Sequence, residues 1–534
     1  MVVTAHYLAS EVGQEILQQG GNAYDAAVAV QFALAVVYPR AGNITGGGFA
    51  VIRTSNGDYN TLDFREKAPL AATRDMYLDE KGNVNDKLSR DGHLSVGVPG
   101  SVDGMVKLHK RYGRLPWGIL LQPAINLARK GFTLSPSEAN KLNDYRDRLL
   151  EINVGKHNIP YIADSLFSAN DSLILPQLAN TIERIQNQGR DGFYKGKTAD
   201  ALILEMRNHD GIISHQDLEQ YTSIWRTPVI GEYRNHKIIS MPPPSSGGIA
   251  LLQLLKGAEK FNLNQYPFGS SEHIHTMIEL ERRVYADRSI WLGDPDFYEV
   301  PTQRLLSSDY INERFSDIQR DKKTDSQDIK AGKVDLIESF ETTHLSIVDK
   351  EGNAIAITTT LNGNYGSKVY VESCGFLLNN EMDDFSAKVG HPNQFGLIGN
   401  DANAIAPEKR MLSSMTPTLV EKDNKLFMIV GSPGGSTIIT SVFQNIINVI
   451  DFGMNIDEAV NAPRIHSQYL PDKVYYEPKA LDETTKQELE NMGHILIEQS
   501  SIGTMSNILV NDKGLVTGAA DTIRHPDGSA LLVD

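Results

Sequence analysis

Two adjacent threonines, Thr342 and Thr343, precede His344 in the stretch ESFETTHLSIVD, where a charge-rich segment gives way to a β-rich one. A threonine opening a strand is ordinarily just a β-branched strand residue. It becomes a catalyst if the chain is cut immediately before it. A new N-terminal threonine carries a hydroxyl and its own α-amine. An α-amine with a reference pKa of ~7.7–8.0 is partly neutral near pH 7 and can take the hydroxyl proton without a histidine. His344 then reads as a strand residue that supports the site.

Other residues offer chemistry of lower specificity. GSPGGS, Gly431 to Ser436, joins a strand to a helix N-terminus, so its backbone N–H groups can hold an oxyanion, or it is a plain tight turn. The glycine loop Gly42 to Gly48 lacks a phosphate-loop lysine and runs into a strand, which points to close backbone packing. Asn379 to Asp384, NNEMDD, is either a solvated acidic turn or a pocket for a cationic group such as an amine. Arg65 in LDFRE can clamp a carboxylate bidentately or pair with a neighbouring acid. His273 and His275 point to different helix faces and read as packed or solvated. Asp287, Asp294 and Asp296 have the wrong spacing for an EF-hand and read as caps and turns. HExxH and GxSxG are missing from the sequence.

These residues need a scaffold. The chain has 534 residues, 40% hydrophobic and 22% charged, as an ordinary globular protein does. Its net charge of −16 disfavours nucleic-acid binding. The longest apolar run, Ala23 to Val37, is too short to cross a bilayer and reads as a buried helix capped by Asn22. Ser10 is the expected cap of a helix running through Gln18. The first residues show no basic-then-apolar signal pattern. The single cysteine, Cys374, excludes an internal disulfide and a Cys-based zinc cluster. The stretch SSEHIHTMIELERRVYADRSIWLG reads as a long amphipathic helix, and Asp317 to Glu341 as a solvated linker. His344 to Asp349 and Asn353 to Leu361 form a hairpin signal around Lys350-Glu351-Gly352. Lys425 to Val430 is a strand, and Ser436 to Phe452 the helix after it.

Taken in order, GGNAYDAAVA, GNITGGGF, LDFRE, VGVPG, MPPPSSGG, YADRS, GDPDF, ESFETTH, LNNEMDDFS, LSSM, GSPGG and NAPR resemble the γ-glutamyltransferase (γ-glutamyltranspeptidase) family of N-terminal-nucleophile hydrolases, bacterial type. The resemblance runs almost end to end. It implies an α+β fold, a four-layer αββα sandwich made from one precursor. That precursor would cut itself between Glu341 and Thr342 into segments 1–341 and 342–534, which co-fold as one domain.

The same resemblance implies roles. Thr342 would be the nucleophile in both maturation and turnover, and Thr360 would orient it. Gly434 and Gly435 would donate to the oxyanion. Arg65, Ser413 and Ser414 would grip a substrate α-carboxylate, with Asn362, Glu381 and Asp384 receiving the α-ammonium. The implied substrates are glutathione and other γ-glutamyl compounds, with water, amino acids or peptides as acceptors. No cofactor, metal, nucleic acid or membrane span is implied; export to the periplasm or medium is. Lys388 to Ala406 resembles a lid, with Phe395 shielding the pocket. Glu381 stands where some relatives carry Gln, and Lys368 where many carry a small residue. A cephalosporin or glutaryl acylase on the same fold is the alternative, and it would not need the full ammonium pocket. A silent binding protein on this scaffold would not need Thr342, Thr360 and the two glycines.

Overall fold

In the strand Gly47–Arg53 every residue is buried, and its apolar side chains divide by turns between two cores: Ala50 and Ile52 join one, Phe49 and Val51 the other. A strand buried on both faces must lie inside a layered structure. The same division recurs in Ala354–Thr360, where Ile355 and Ile357 face one core and Ala354 and Ala356 the other.

A computed structural model describes residues 1–329 and 342–533. Its seven-stranded antiparallel sheet has the order Ser529–Leu531, Val2–Thr4, Thr343–Val348, Ala354–Thr360, Gly47–Arg53, Tyr59–Asp63, Ile224–Arg226. The first core packs this sheet against helices that include Tyr7–Gln18, Ala23–Val37, Ser101–Tyr112 and Trp117–Lys130. A six-stranded antiparallel sheet runs Val516–Ala520, Ser506–Val510, Lys425–Val430, Thr418–Lys422, His236–Ser240, Val229–Tyr233. Its residues share the second core with the inner face of the first sheet and with the helices Gly247–Lys260, Ser271–Trp291 and Ile438–Ile450. The result is the expected αββα sandwich. Strands from before and after position 342 interleave in the first sheet and adjoin in the second.

Local expectations fare unevenly. Asn22 caps Ala23–Val37 through a full capping box with Asp25, and all fifteen helix residues are buried. The preceding helix starts earlier than expected: His6 caps it, and Ser10 is inside it, its hydroxyl 2.8 Å from that of Thr4. Helix Ser271–Trp291 is not an amphipathic surface helix, because it is buried on nearly every side. Glu279 holds both Arg282 and Arg283, and Asp287 meets Arg314 at 2.8 Å. The described part of the expected linker is largely exposed, as a solvated segment would be, and those buried arginines anchor it at a few points. Asp317 pairs with Arg283 at 2.9 Å, the Thr324 carbonyl accepts from Arg282 at 2.8 Å, and Ile329 enters the core. Residues 330–341, including Glu341 of the expected cut site, lie outside the described residues. Lys368 is buried at φ +65° and meets Asp91 at 3.0 Å, so it braces the loop after Asn364.

The Gly42–Gly48 loop is close packing, as its sequence suggests. Asn43 Nδ2 donates to the Thr360 carbonyl at 3.0 Å, and Asn43 Oδ1 accepts from the Gly46 N–H at 3.0 Å. A Cβ at Gly46 would overlap that same Thr360 carbonyl oxygen. Gly46→Ala should therefore destabilise the fold by about 1–3 kcal/mol, the usual cost of overpacking, read as a lowered melting temperature. An unshifted melting curve would mean that the loop can move aside.

Candidate active site

Thr342 lies immediately before the strand Thr343–Val348, and the hairpin register sets its neighbour. Thr343 opposes Thr359, so one further step places Thr342 opposite Thr360. Thr360 in turn opposes Gly47, and its hydroxyl accepts from the Asn362 N–H at 2.8 Å. Asn362 sits at φ +75° and donates to the Asn380 carbonyl at 3.0 Å, which links the hairpin to the acidic cluster.

His344 does not face this chemistry. Its Nδ1 lies 2.8 Å from the Thr358 hydroxyl and its Nε2 3.1 Å from that of Ser346. Burial drives its pKa down to about 3, so the ring is neutral. It also packs so closely on Gly431 that a Cβ there would overlap the imidazole. Through this contact the strand Thr343–Val348 in one sheet meets the glycine loop of the other.

That loop follows the strand Lys425–Val430 and passes through a 3₁₀ turn, Gly435–Thr437, into the helix Ile438–Ile450. Gly434 at φ +136° and Gly435 at φ +54° adopt backbone that a side chain would strain. A Cβ on Gly435 would also overlap the Phe395 ring.

Two cavities meet at Thr342. The inner one is narrow, about 20 Å³, and is lined by Arg65, Thr342, Thr360, Asn362, Glu381, Asp384, Ser413, Ser414 and Gly435, together with Phe395. The outer one holds about 470 Å³ and is lined by Thr342 and Gly434 among others. Every expected site residue within the described range is thus gathered around Thr342, with Gly434 on the outer side.

The inner pocket's charges are arranged differently from the two separate sides that the sequence suggests. Arg65 pairs directly with both Glu381 and Asp384, because opposite charges brought together in a narrow pocket satisfy one another. Burial works against the Arg65 guanidinium, but Glu381, Asp384 and Glu66 outweigh it and hold its pKa above the ordinary value. Burial also raises Asp384, and raises Glu381 to about 7 even beside Arg65.

Three contributors escaped the sequence reading. Glu66, next to Arg65 in LDFRE, is fully buried and raised well above the carboxylate range by burial and by Glu381. Arg288, from YADRS, donates to Ser414 Oγ at 3.0 Å and to Ser246 Oγ at 2.9 Å, bringing a second cation to the serine side. Asn393 donates to Asp384 Oδ1 at 2.9 Å and ties the expected lid to the pocket. Their motifs were visible, but not that they turn inward. Ser413 is positioned by MPPPSSGG: its N–H donates to the Pro244 carbonyl at 3.0 Å, and its carbonyl accepts from the Ser246 N–H at 2.8 Å. His275 is packed, 2.8 Å from His494, and Asp294 accepts from the Arg410 and Asp296 N–H groups as a turn residue.

Removing Arg65 should expose this electrostatic arrangement. Glu381 has a folded pKa raised from 4.5 to about 7, so its contribution to stability is full below about 4.5 and is lost as pH rises through about 7. Without Arg65 the acids can escape an uncompensated buried charge only by protonation. Arg65→Ala should cost about 3–5 kcal/mol near pH 8 and clearly less near pH 5, read by denaturant unfolding at both pH values. Equal deficits would mean that these acids do not titrate against folding.

Comparison with known proteins agrees with this geometry. The family model described as Gamma-glutamyltranspeptidase matches residues 9–531. The glutathione hydrolase proenzyme of Escherichia coli (strain K12) is 45% identical over 521 residues, covering 98% of this chain and 90% of that protein. The crystal structure of Helicobacter pylori γ-glutamyltranspeptidase is 46% identical, with a TM-score of 0.59, over 61% of this chain and 94% of its own. A cephalosporin acylase from Bacillus halodurans, 25% identical, superposes with a TM-score of 0.85 over 99% of this chain and 94% of its own. The chain therefore belongs to the gamma-glutamyltranspeptidase family of N-terminal-nucleophile hydrolases.

Proposed function

We propose that this protein is a self-processing γ-glutamyltransferase and glutathione hydrolase whose nucleophile is Thr342. The observation that carries the reading is the position of Thr342, opposite Thr360 and between an ionic pocket and a wider cleft. In maturation the Thr342 hydroxyl attacks the Glu341 carbonyl, and the acyl group moves from nitrogen to oxygen. That shift frees the α-amine, and water then opens the ester to release the Glu341 carboxylate and the Thr342 hydroxyl. In turnover that amine takes the hydroxyl proton while Oγ1 attacks the γ-amide carbon of glutathione or another γ-glutamyl compound. Backbone N–H groups of Gly434 and Gly435 face the developing oxyanion. The C–N bond breaks, the proton passes to the leaving amine, and water or the amine of an amino acid or peptide takes the γ-glutamyl group from the ester.

The ion pairs of the inner pocket support selection for a free α-amino acid head. A substrate zwitterion supplies an ammonium to Glu381, Asp384 and Asn362, and a carboxylate to Arg65, Ser413 and Ser414, so it exchanges one set of ion pairs for another. The cephalosporin acylase alternative has weaker sequence support, with acylase proenzymes of Pseudomonas sp. 35% identical against 45% for the glutathione hydrolase proenzymes, and leaves this pocket of acids without a purpose. Among the described residues no helix is long and apolar enough to cross a membrane. Export to the periplasm or medium is part of the proposal and rests on family kinship.

Two experiments test it. A mature sample should show two bands on a denaturing gel, the smaller beginning at Thr342, whereas Thr342→Ala should stay as one band and release no chromophore from a γ-glutamyl anilide. Cleavage or full activity in that variant would refute the assignment. Asp384→Ala should lower kcat/KM for γ-glutamyl substrates on the order of 10²-fold, the loss of a buried charged hydrogen bond, while self-cleavage slows far less. Equal losses would make Asp384 structural.

A further inference from the structure

The outer cleft on the far side of Thr342 differs in charge from the inner pocket. Arg40, Lys141, Arg524 and His525 line it, and among its described lining residues there is neither an aspartate nor a glutamate. In a chain of net charge −16 that asymmetry is unexpected. The cations are not equally committed. Arg40 meets Glu138 at 3.2 Å, and Arg524 is held by Glu477 and by Asp521, the latter at 2.8 Å. Burial, followed by the charge of Arg40, holds His525 well below the ordinary histidine value, so it is neutral. Lys141 differs: it meets Asp144 at 3.6 Å, with its side chain 31% exposed and that of Asp144 62% exposed.

Lys141 is also well aimed. It belongs to the helix Pro136–Ile152, whose Ser137, Lys141 and Tyr145 recur every fourth residue, lie on one helix face and all line the cleft. If the inner pocket takes the α-amino acid head and Thr342 the amide carbon, the rest of the substrate can only extend outward into this cleft. Its volume of about 470 Å³ lies within the usual range for a small-ligand site.

Resting on the function proposed above, we infer that the outer cleft recognises a free carboxylate on the leaving or accepting amine, with Lys141 as its specificity-determining contact. The favoured donors are then γ-glutamyl peptides ending in a carboxylate, and the favoured acceptors are amino acids or peptides with a free C-terminus. Deacylation by an acceptor reverses the leaving-group step, so one cleft serves both.

The test compares kcat/KM for glutathione, its glycine ethyl ester and γ-glutamyl-p-nitroanilide. The ester and the anilide carry no carboxylate beyond the scissile bond. Wild type should prefer glutathione to its ester, and added salt should shrink that preference. Lys141→Glu should lower the glutathione-to-anilide ratio by about five- to tenfold, chiefly through KM, the scale of a partly exposed charged contact. Lys141→Arg should restore it. Self-cleavage of each variant on a gel verifies folding. A ratio within about twofold of wild type under charge reversal, or an ester used as well as glutathione, overturns the inference while the proposed function stands. A wild-type enzyme that turns over no γ-glutamyl compound overturns that function and this inference with it.

Discussion

The antiparallel register between Thr343–Val348 and Ala354–Thr360 is the constraint on which the site depends. A slip of one residue would turn each side chain to the opposite face, moving Ile355 and Ile357 out of the outer core. The apolar alternation that packs two cores therefore also sets Thr342 opposite Thr360. Neighbouring strands hold this pair from both sides, with Val2–Thr4 on one flank and Gly47–Arg53 on the other.

The second sheet brings the other half of the chemistry. Its glycine loop approaches Thr342 because His344 packs on Gly431, a contact that leaves no space for a Cβ. This gives the neutral histidine beside the threonines a structural purpose. It spaces the two sheets and is held by two hydroxyls, while the proposed base is the amine of Thr342 itself. Gly434 and Gly435 then straddle Thr342, one toward each cavity.

Those cavities are electrically unlike. Inside, three buried carboxyl groups surround Arg65, with Arg288 behind the serines, so charge is enclosed and paired. Outside, cations line a broader cleft. A reaction at Thr342 would pass a group between the two, and each side would read a different charge on its substrate.

Much of this was legible in the sequence because it is written locally. The alternation in FAVIR and NAIAITTTL, the Asn22 cap and the glycine-rich junction at Gly431 each follow from neighbouring residues, and family motifs named the site residues individually. The failures were long-range. The charge-rich helix around Arg282 and Arg283 resembled solvent-facing chain, yet both arginines are buried against Glu279. Arg65 was read as a carboxylate clamp or as the partner of an acid, and only the structure shows that Glu381 and Asp384, more than three hundred residues on, are the acids it meets. By itself the sequence marked the strands, the hairpin and the helix caps, since hydrophobic period and turn chemistry act between near neighbours, and its family motifs proposed the layers and the site residues. Only the tertiary structure decided which charges are buried together and how the space around Thr342 divides. Coulombic pairing and desolvation depend on distances in space, and separation along the chain does not encode them.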